Sequence, residues 1–293
     1  LVLGLFGLEN FYGGDISSLI EISQMGEELG FDSVSVTDHV VMGKNLHKYP
    51  FGKFPLPSEA PWYEPLSLLT MIASNTTNIK LATAVLIAPL RNPALLAKTA
   101  ATLDSISKGR LELGVGLGWQ KEEYDTAGLS FENRAEVFWE TLDICKLLWE
   151  DSPISFNGKY FNFDDIWCHP QPPQGKDLPL LFGLKMTPEN ASKIARVGHG
   201  WIPIKTSRDF ISEGKQILSE AFIKAGREDQ PRIRGQLPTC VDEDGLPNIQ
   251  LTLNEIEKSM AAGLDEVEVF PINFVQGPED IYKVLKLISE VKK

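Results

Sequence analysis

Among the ionisable side chains, the adjacent pair Asp38 and His39 is the most suggestive of chemistry. An imidazole titrates near neutrality and can pass a proton in either direction, and a neighbouring carboxylate can orient or polarise it. The bland alternative is that Asp38 caps a loop while His39 fills space. A second candidate is Gly114-Val115-Gly116-Leu117-Gly118-Trp119. It lacks the spacing of a dinucleotide fingerprint, and with Gln120-Lys121-Glu122-Glu123 next, no helix start is expected at once. It reads better as backbone slim enough for a planar ligand to approach. A third is Phe182-Gly183-Leu184-Lys185-Met186-Thr187-Pro188, a strand, a loop and a helix start. Free N–H groups and the positive end of a helix dipole can hold a phosphate there, although Thr187 is equally a plain N-cap and Lys185 a solvated charge.

Other chemistries lack their residues. No serine or cysteine stands in a GxSxG elbow. His39, His47, His169 and His199 are far apart and outside any HExxH motif, so no metal is expected. Cys145, Cys168 and Cys240 form neither a CxxC pair nor a disulfide framework.

Something must position these candidates, and the chain repeats one unit: an apolar or β-branched run, a loop, then a segment with helical spacing. The runs are Val2 to Phe6, Ser33 to Thr37, Ile79 to Ile87, Leu111 to Val115, Leu180 to Phe182, Trp201 to Ile204, Ile233 to Leu237 and Glu266 to Phe270. The helices between them start or stop at local signals, such as Gly30 after Leu29 and Asn92-Pro93 before Ala94. Eight such units without a break in composition predict one domain over 1–293, a (β/α)8 TIM barrel. In that architecture the active site lies at the carboxyl ends of the strands, where Asp38-His39, Gly118-Trp119 and Gly183 to Thr187 all fall. Two loops, 40–62 and 151–177, are too long for plain connections and are rich in aromatic residues. Both read as covers for something flat and apolar, or, for the second, as a cluster sealing a barrel end.

Composition narrows the partners. The chain has 293 residues, 43% hydrophobic and 23% charged, which excludes a disordered tail. A net charge of −12 repels a phosphate backbone, and the basic residues are scattered, so no nucleic acid is expected. Leu81 to Leu90 is too short to span a bilayer, and nothing at Leu1 to Gly7 resembles a signal peptide. The expectation is a soluble cytoplasmic protein acting on a small molecule, without a membrane partner.

The stretch T-N-I-K-L-A-T-A-V-L-I-A-P-L-R-N-P-A-L-L-A-K-T-A-A-T-L-D-S-I-S-K-G-R-L-E-L-G-V-G-L-G-W from Thr77 to Trp119, with E-N-R downstream, resembles the luciferase-like monooxygenase superfamily. The likeness extends from Gly4-Leu5-Phe6 through Asp38-His39 to Gly200-Trp201. It implies the same barrel, with an insertion after the fourth helix, and a flavin or deazaflavin at the carboxyl end. D-H-V-V after the second strand and the Y-P-F-G loop look most like the branch that uses coenzyme F420. That branch implies Asp38 and His39 against the cofactor, His39 as proton donor or acceptor, and a cis peptide at Ala84-Val85 under the ring. Gly118, Trp119 and Gly183 to Thr187 would complete the cofactor contacts. Two positions depart from the pattern: Leu184 stands where relatives carry a second glycine, and His199-Gly200-Trp201 replaces Asp-Gly-Trp. The implied activity is hydride transfer between F420 and a small organic substrate. The alternatives are an FMN-dependent monooxygenase using reduced flavin and oxygen, or a non-catalytic flavin-binding protein. The resemblance also implies a homodimer, for which the apolar segment Leu66 to Ile72 is the expected interface.

Overall fold

The computed structural model describes residues 1–54 and 56–291. Parallel strands β1 (Val2–Gly4), β2 (Ser33–Val36), β3 (Lys80–Ile87) and β4 (Leu111–Gly116) form half of the barrel. After a separate two-stranded hairpin, β5 (Ile154–Asn157) and β6 (Asn162–Ile166), come β7 (Leu180–Phe182), β8 (Gly200–Trp201), β9 (Arg232–Gln236) and β10 (Glu266–Val269). The barrel order is β1-β10-β9-β8-β7-β4-β3-β2, and β1 pairs with both β2 and β10, so no edge is left open. β2, β4 and β7 are buried along their whole lengths, because one face fills the barrel and the other lies beneath helices.

The outer ring is α1 (Ser18–Glu28), α2 (Pro65–Ala73), α3 (Pro93–Ser107), α4 (Lys121–Thr126), α5 (Arg134–Glu150), α6 (Pro188–Val197), α7 (Arg208–Lys224), α8 (Ile249–Leu253), α9 (Ile256–Ala261) and α10 (Pro278–Glu290). Their starts follow local chemistry. Asn92 Oδ1 accepts from the N–H groups of Ala94 (3.0 Å) and Leu95 (3.3 Å) ahead of Pro93 at the first helical position. Thr187 Oγ1 accepts from the Asn190 N–H at 3.2 Å.

Three expectations need correction, and the alternative left open for the second long loop is decided. The run from Trp201 to Ile204 leaves the sheet after Trp201, since Pro203 has no N–H for the ladder. A short helix, α4, begins at Lys121 soon after the glycine run, where the sequence suggested none. Leu66, Leu68, Leu69 and Ile72 are buried against this chain's own barrel, so they are core and not free for an interface. Finally, the insertion 151–177 follows α5 and therefore connects at the amino end of the barrel, away from the mouth. Its rings satisfy one another, with Phe156 and Phe163 stacked at 6.0 Å. Its turn is tied to α5 through Glu140, which accepts from the N–H groups of Lys159 (2.7 Å) and Tyr160 (2.9 Å).

Candidate active site

The segments after β2, β3, β4 and β7 build the mouth of the barrel. Asp38 and His39 leave β2 together but look to different partners. Asp38 is buried, and its Oδ2 accepts from the Ile87 N–H (2.8 Å) and from Arg91 Nη1 (2.6 Å), while Arg91 Nη2 reaches Asp38 Oδ1 at 3.1 Å. A two-pronged guanidinium–carboxylate pair of this kind fixes orientation as well as charge. Arg91 Nη2 also donates to Glu64 Oε1 at 2.9 Å, and Glu64 in turn caps α2 through the Ser67 N–H at 2.7 Å. Arg91 therefore pins both ends of the loop that runs from Asp38 to Glu64.

His39 turns the other way. Its Nδ1 lies 3.1 Å from Glu123 Oε2 on α4, and the Glu123 side chain is fully buried. The carboxylate that orients the imidazole is thus Glu123 and not its sequence neighbour Asp38. Glu123 Oε1 also accepts from the Val40 N–H at 2.9 Å. Nearby on the same segment, Gln120 Oε1 accepts from the Gly43 N–H at 2.7 Å, and Asn45 Nδ2 donates to Glu122. The short helix grips the first six residues of the loop, and Tyr124 Oη anchors that helix by donating to the Leu117 carbonyl.

Around His39 stands a set of aromatic rings. Trp62 meets it edge-on at 4.6 Å, Phe54 at 5.9 Å and Trp119 at 6.1 Å between centroids. Tyr49 packs on Phe54 (5.1 Å) and Trp119 (5.2 Å), which closes the set. Tyr49, Phe54 and Trp62 are thus the aromatic cover over the mouth. Two polar atoms inside it have no partner among the described residues: the indole N–H groups of Trp62 and Trp119, both buried. Buried donors are normally satisfied, so these two N–H groups beside His39 are available to a bound molecule.

The floor of the mouth is set by glycines. The Ala84-Val85 peptide is cis, and the register between β3 and β4 shifts there. The Val85 side chain presses between neighbouring strands: an ideal Cβ on Gly116 would lie 2.7 Å from it, and one on Gly183 2.8 Å. Only glycine admits it at either place. Gly118 adopts the left-handed conformation (φ 66°) that turns the chain toward Trp119.

Other expected contacts are more dispersed. Leu184 and Met186 are buried in the core, and the Leu184 carbonyl accepts from Trp201 Nε1 at 2.8 Å, so their side chains do not offer a polar contact. Lys185 is exposed, and its carbonyl accepts from Asn190 Nδ2 at 2.9 Å. With Thr187 it stands at the amino end of α6. His199 lies at the opposite end of the barrel, where its Nδ1 accepts from the Leu180 N–H at 3.1 Å. Its departure from the family pattern is remote from the mouth.

Sequence reasoning gave no role to Arg91 or Glu123, and it held Glu9 only as a fallback to His39. Burial raises the Glu9 carboxyl above its usual range; it lines a small cavity of about 20 Å³ with Leu5, Thr37 and Trp62. The signal for Glu123 was the acid in K-E-E-Y, one helical turn beyond Trp119. Nothing in the spacing tells which of the nearby acids reaches His39.

Known proteins give the chain its family. An uncharacterised protein of Mycobacterium tuberculosis is 32% identical over 220 residues, which cover 72% of this chain and 76% of the relative. An F420-dependent glucose-6-phosphate dehydrogenase of Kineococcus radiotolerans is 28% identical over 231 residues, covering 76% of this chain and 62% of the relative. Among solved structures, a monooxygenase from Streptomyces bottropensis superposes with a TM-score of 0.80 at 19% identity, covering 99% and 98% of the two chains. The sequence profile of the luciferase-like monooxygenases matches residues 3–245, and the chain belongs to that family.

Proposed function

We propose that this protein catalyses hydride transfer between coenzyme F420 and a small organic substrate, with His39 moving the accompanying proton. The observation that carries the reading is the isolated imidazole at the end of β2, held on one nitrogen by Glu123 and walled by Trp62, Phe54 and Trp119. The residues present fit a flat, polar-edged ring system. Two buried indole N–H groups lack acceptors among the described residues, and Val85 rises between two glycines to form a floor. Ala84, Val85, Gly118 and Trp119 would hold the ring, and Gly183 to Thr187 with the α6 terminus would meet the phosphate. His39 would face the ring, with Asp38 behind it, its carboxylate taken by Arg91 and the Ile87 N–H.

When bound, the deazaflavin supplies a carbon that accepts or gives hydride. The chain's own contribution is positional and electrostatic. His39 Nε2 takes the proton of a substrate hydroxyl during oxidation, and returns it to a carbonyl oxygen in the reverse direction. Asp38, fixed by Arg91 and the Ile87 N–H, holds the end of β2 in place. Tyr49, Phe54 and Trp62 keep bulk water away from His39, which strengthens every polar contact inside.

The second reading is an FMN-dependent monooxygenase that uses reduced flavin and oxygen. The ring-lined cover favours it equally, since oxygen chemistry also requires a dry site. A third is a flavin carrier without catalysis. Titration of the purified protein with F420 and with FMN, monitored by fluorescence, tests the assignment. Binding of F420 at micromolar concentration with FMN much weaker is the expected result; the opposite order of affinity overturns it. An F420-loaded protein that acts equally well as wild type after His39→Ala removes the proton role.

A further inference from the structure

We infer that Glu123 is a positioning residue that sets the tautomer of His39, leaving Nε2 as the proton-accepting nitrogen, and ties that choice to the hold that α4 keeps on residues 40–45. The proton role proposed for His39 is the reading on which this rests.

One buried carboxylate has two oxygens with different duties. Oε1 is committed as an acceptor by the Val40 N–H at 2.9 Å, because a backbone amide can only donate. Oε2 faces His39 Nδ1 at 3.1 Å. A carboxylate offers acceptors alone, and in that form of Glu123 it is Nδ1 that brings the hydrogen to the 3.1 Å contact. A neutral imidazole carries one hydrogen on its two nitrogens, and with Nδ1 protonated the lone pair sits on Nε2. Among the described residues, Glu123 is the imidazole's hydrogen-bond partner, and the ring faces around it are aromatic. The open nitrogen is therefore the one on the side away from α4, ready to receive a proton.

The same carboxylate holds the start of the cover. Val40 is the next residue after His39, and Gly43 and Asn45 are gripped by Gln120 and Glu122, beside Glu123 in the chain. Ser58 Oγ extends the chain of contacts by donating to the Gly43 carbonyl at 3.2 Å. Tautomer and cover thus share one anchor. Had Asp38 been the orienting group, as adjacency suggests, the imidazole could have been set without the loop; here Asp38 is saturated by Arg91 and the Ile87 N–H.

The substitution Glu123→Gln keeps an oxygen for Val40 but turns an NH2 toward Nδ1. That group can only donate, so it demands the opposite tautomer. Turnover is then expected to fall by about 10²-fold or more, the scale of a general acid–base contribution, with the cofactor Kd changed by less than about threefold.

The decisive test needs neither cofactor nor substrate. Full-length protein carrying 15N-labelled histidine rings is studied by long-range 1H–15N correlation above the imidazole titration, with His39 assigned by its loss in His39→Gln. In the wild type the expected His39 pattern is a protonated Nδ1 and a bare Nε2, and in Glu123→Gln the two exchange places. Val40 amide hydrogen exchange in the wild type is expected to be slow, and faster in a folded Glu123→Ala. A wild-type His39 with its hydrogen on Nε2 overturns the inference even if no variant folds. An unchanged tautomer in folded Glu123→Gln does so too. An unchanged tautomer in folded Glu123→Gln leaves the proton role of His39 standing. A wild-type hydrogen on Nε2 moves the accepting lone pair to Nδ1 and leaves His39→Ala to decide whether the imidazole acts at all, whereas an activity-neutral His39→Ala with the expected wild-type tautomer removes the proton role alone.

Discussion

Buried charge is concentrated at both ends of this barrel, and the two ends use it differently. At the amino end, Glu112 on β4 meets Lys80 Nζ at 2.9 Å and Arg232 Nη2 at 3.0 Å, and it also pairs with Arg234. Arg234 reaches Glu266 at 2.6 Å, and Ser35 donates to Glu268, whose carboxyl is pushed up by burial. Burial alone would raise the Glu112 carboxyl as well, but Arg234, Arg232 and Lys80 outweigh it and hold it at about 2. Several strands are laced together by this network, and its members answer one another. At the carboxyl end the pairs Asp38–Arg91 and Glu123–His39 are also buried, yet the imidazole keeps an open nitrogen and two indole donors lack acceptors among the described residues. Arg234 Nη1 is also without a partner among the described residues. What separates the two ends is that the amino end pairs acid with guanidinium or ammonium across strands, while the mouth presents an imidazole and two indole donors. In barrels of this kind residues at the carboxyl end act on ligands and those at the amino end hold the fold, and this contrast gives that division a chemical form.

The largest expected effect comes from His39→Ala. Turnover with a substrate found by screening should drop by about 10²–10⁴-fold, while cofactor affinity stays within about tenfold and the urea midpoint is nearly unchanged. Steady-state kinetics with saturating cofactor, alongside denaturation, measures both. A variant that loses stability without losing turnover would break the contrast between the two ends.

The mirror image is Glu112→Ala. Removing one member of a buried network leaves Arg234, itself 1% exposed, with Glu266 as its one remaining carboxylate partner among the described residues, and breaking a buried pair costs up to about 3–5 kcal/mol. Urea unfolding should show this cost, while turnover per folded molecule should remain at the wild-type level. The cost should shrink in acid. A carboxyl depressed in the folded state adds stability that is present above its unfolded value near 4.5 and lost as pH falls through about 2.

His199 sharpens the comparison in a milder range. Burial, then the positive charges of Lys146 and Arg227, push its imidazole down to about 4 from an ordinary value of 6.5. The folded protein thus binds fewer protons here than the unfolded chain, so this contribution is intact above pH 6.5 and is lost as pH falls toward 4. Between pH 7 and 5 it amounts to about 2 kcal/mol. His199→Gln should flatten the fall in urea midpoint over that window. An equal fall in variant and wild type would assign the acid sensitivity elsewhere.

The smallest expected effect is that of Trp119→Phe. It removes an unpaired buried donor and keeps most of the ring contacts, so stability should change by less than about 1 kcal/mol. Cofactor affinity, measured by fluorescence titration, should weaken by several-fold if that indole N–H meets the ligand.

Most of the barrel was legible along the chain because its signals are local. Asn92-Pro93, Thr187-Pro188 and Gly30 mark helix ends through contacts within a few residues, and β-branched runs mark strands that are buried on both faces. What misled was chemistry whose partner is distant. The apolar face Leu66 to Ile72 looks the same in a sequence whether it covers its own barrel or another subunit. The aromatic residues of 151–177 and 40–62 look alike too, yet only the second group stands at the mouth. Connection polarity decides this, since a segment after a helix returns to the amino end of the strands.

The sequence by itself determined the repeating strand–helix unit, the placement of Asp38 and His39 at a strand end, and a glycine run slim enough for close approach. Each depends on spacing along the chain or on steric limits of single residues. That Val85 fills the space at Gly116 and Gly183 came from the fold. Only the tertiary structure decided which acid serves which base. Asp38 and Glu123 are both carboxylates within reach of an imagined pairing with His39, but barrel closure brings Arg91 and the Ile87 N–H to Asp38 and carries α4 to the imidazole. The physical reason is that a hydrogen bond acts over about 3 Å, a distance that adjacency in sequence does not guarantee and that a separation of 84 positions between His39 and Glu123 does not prevent.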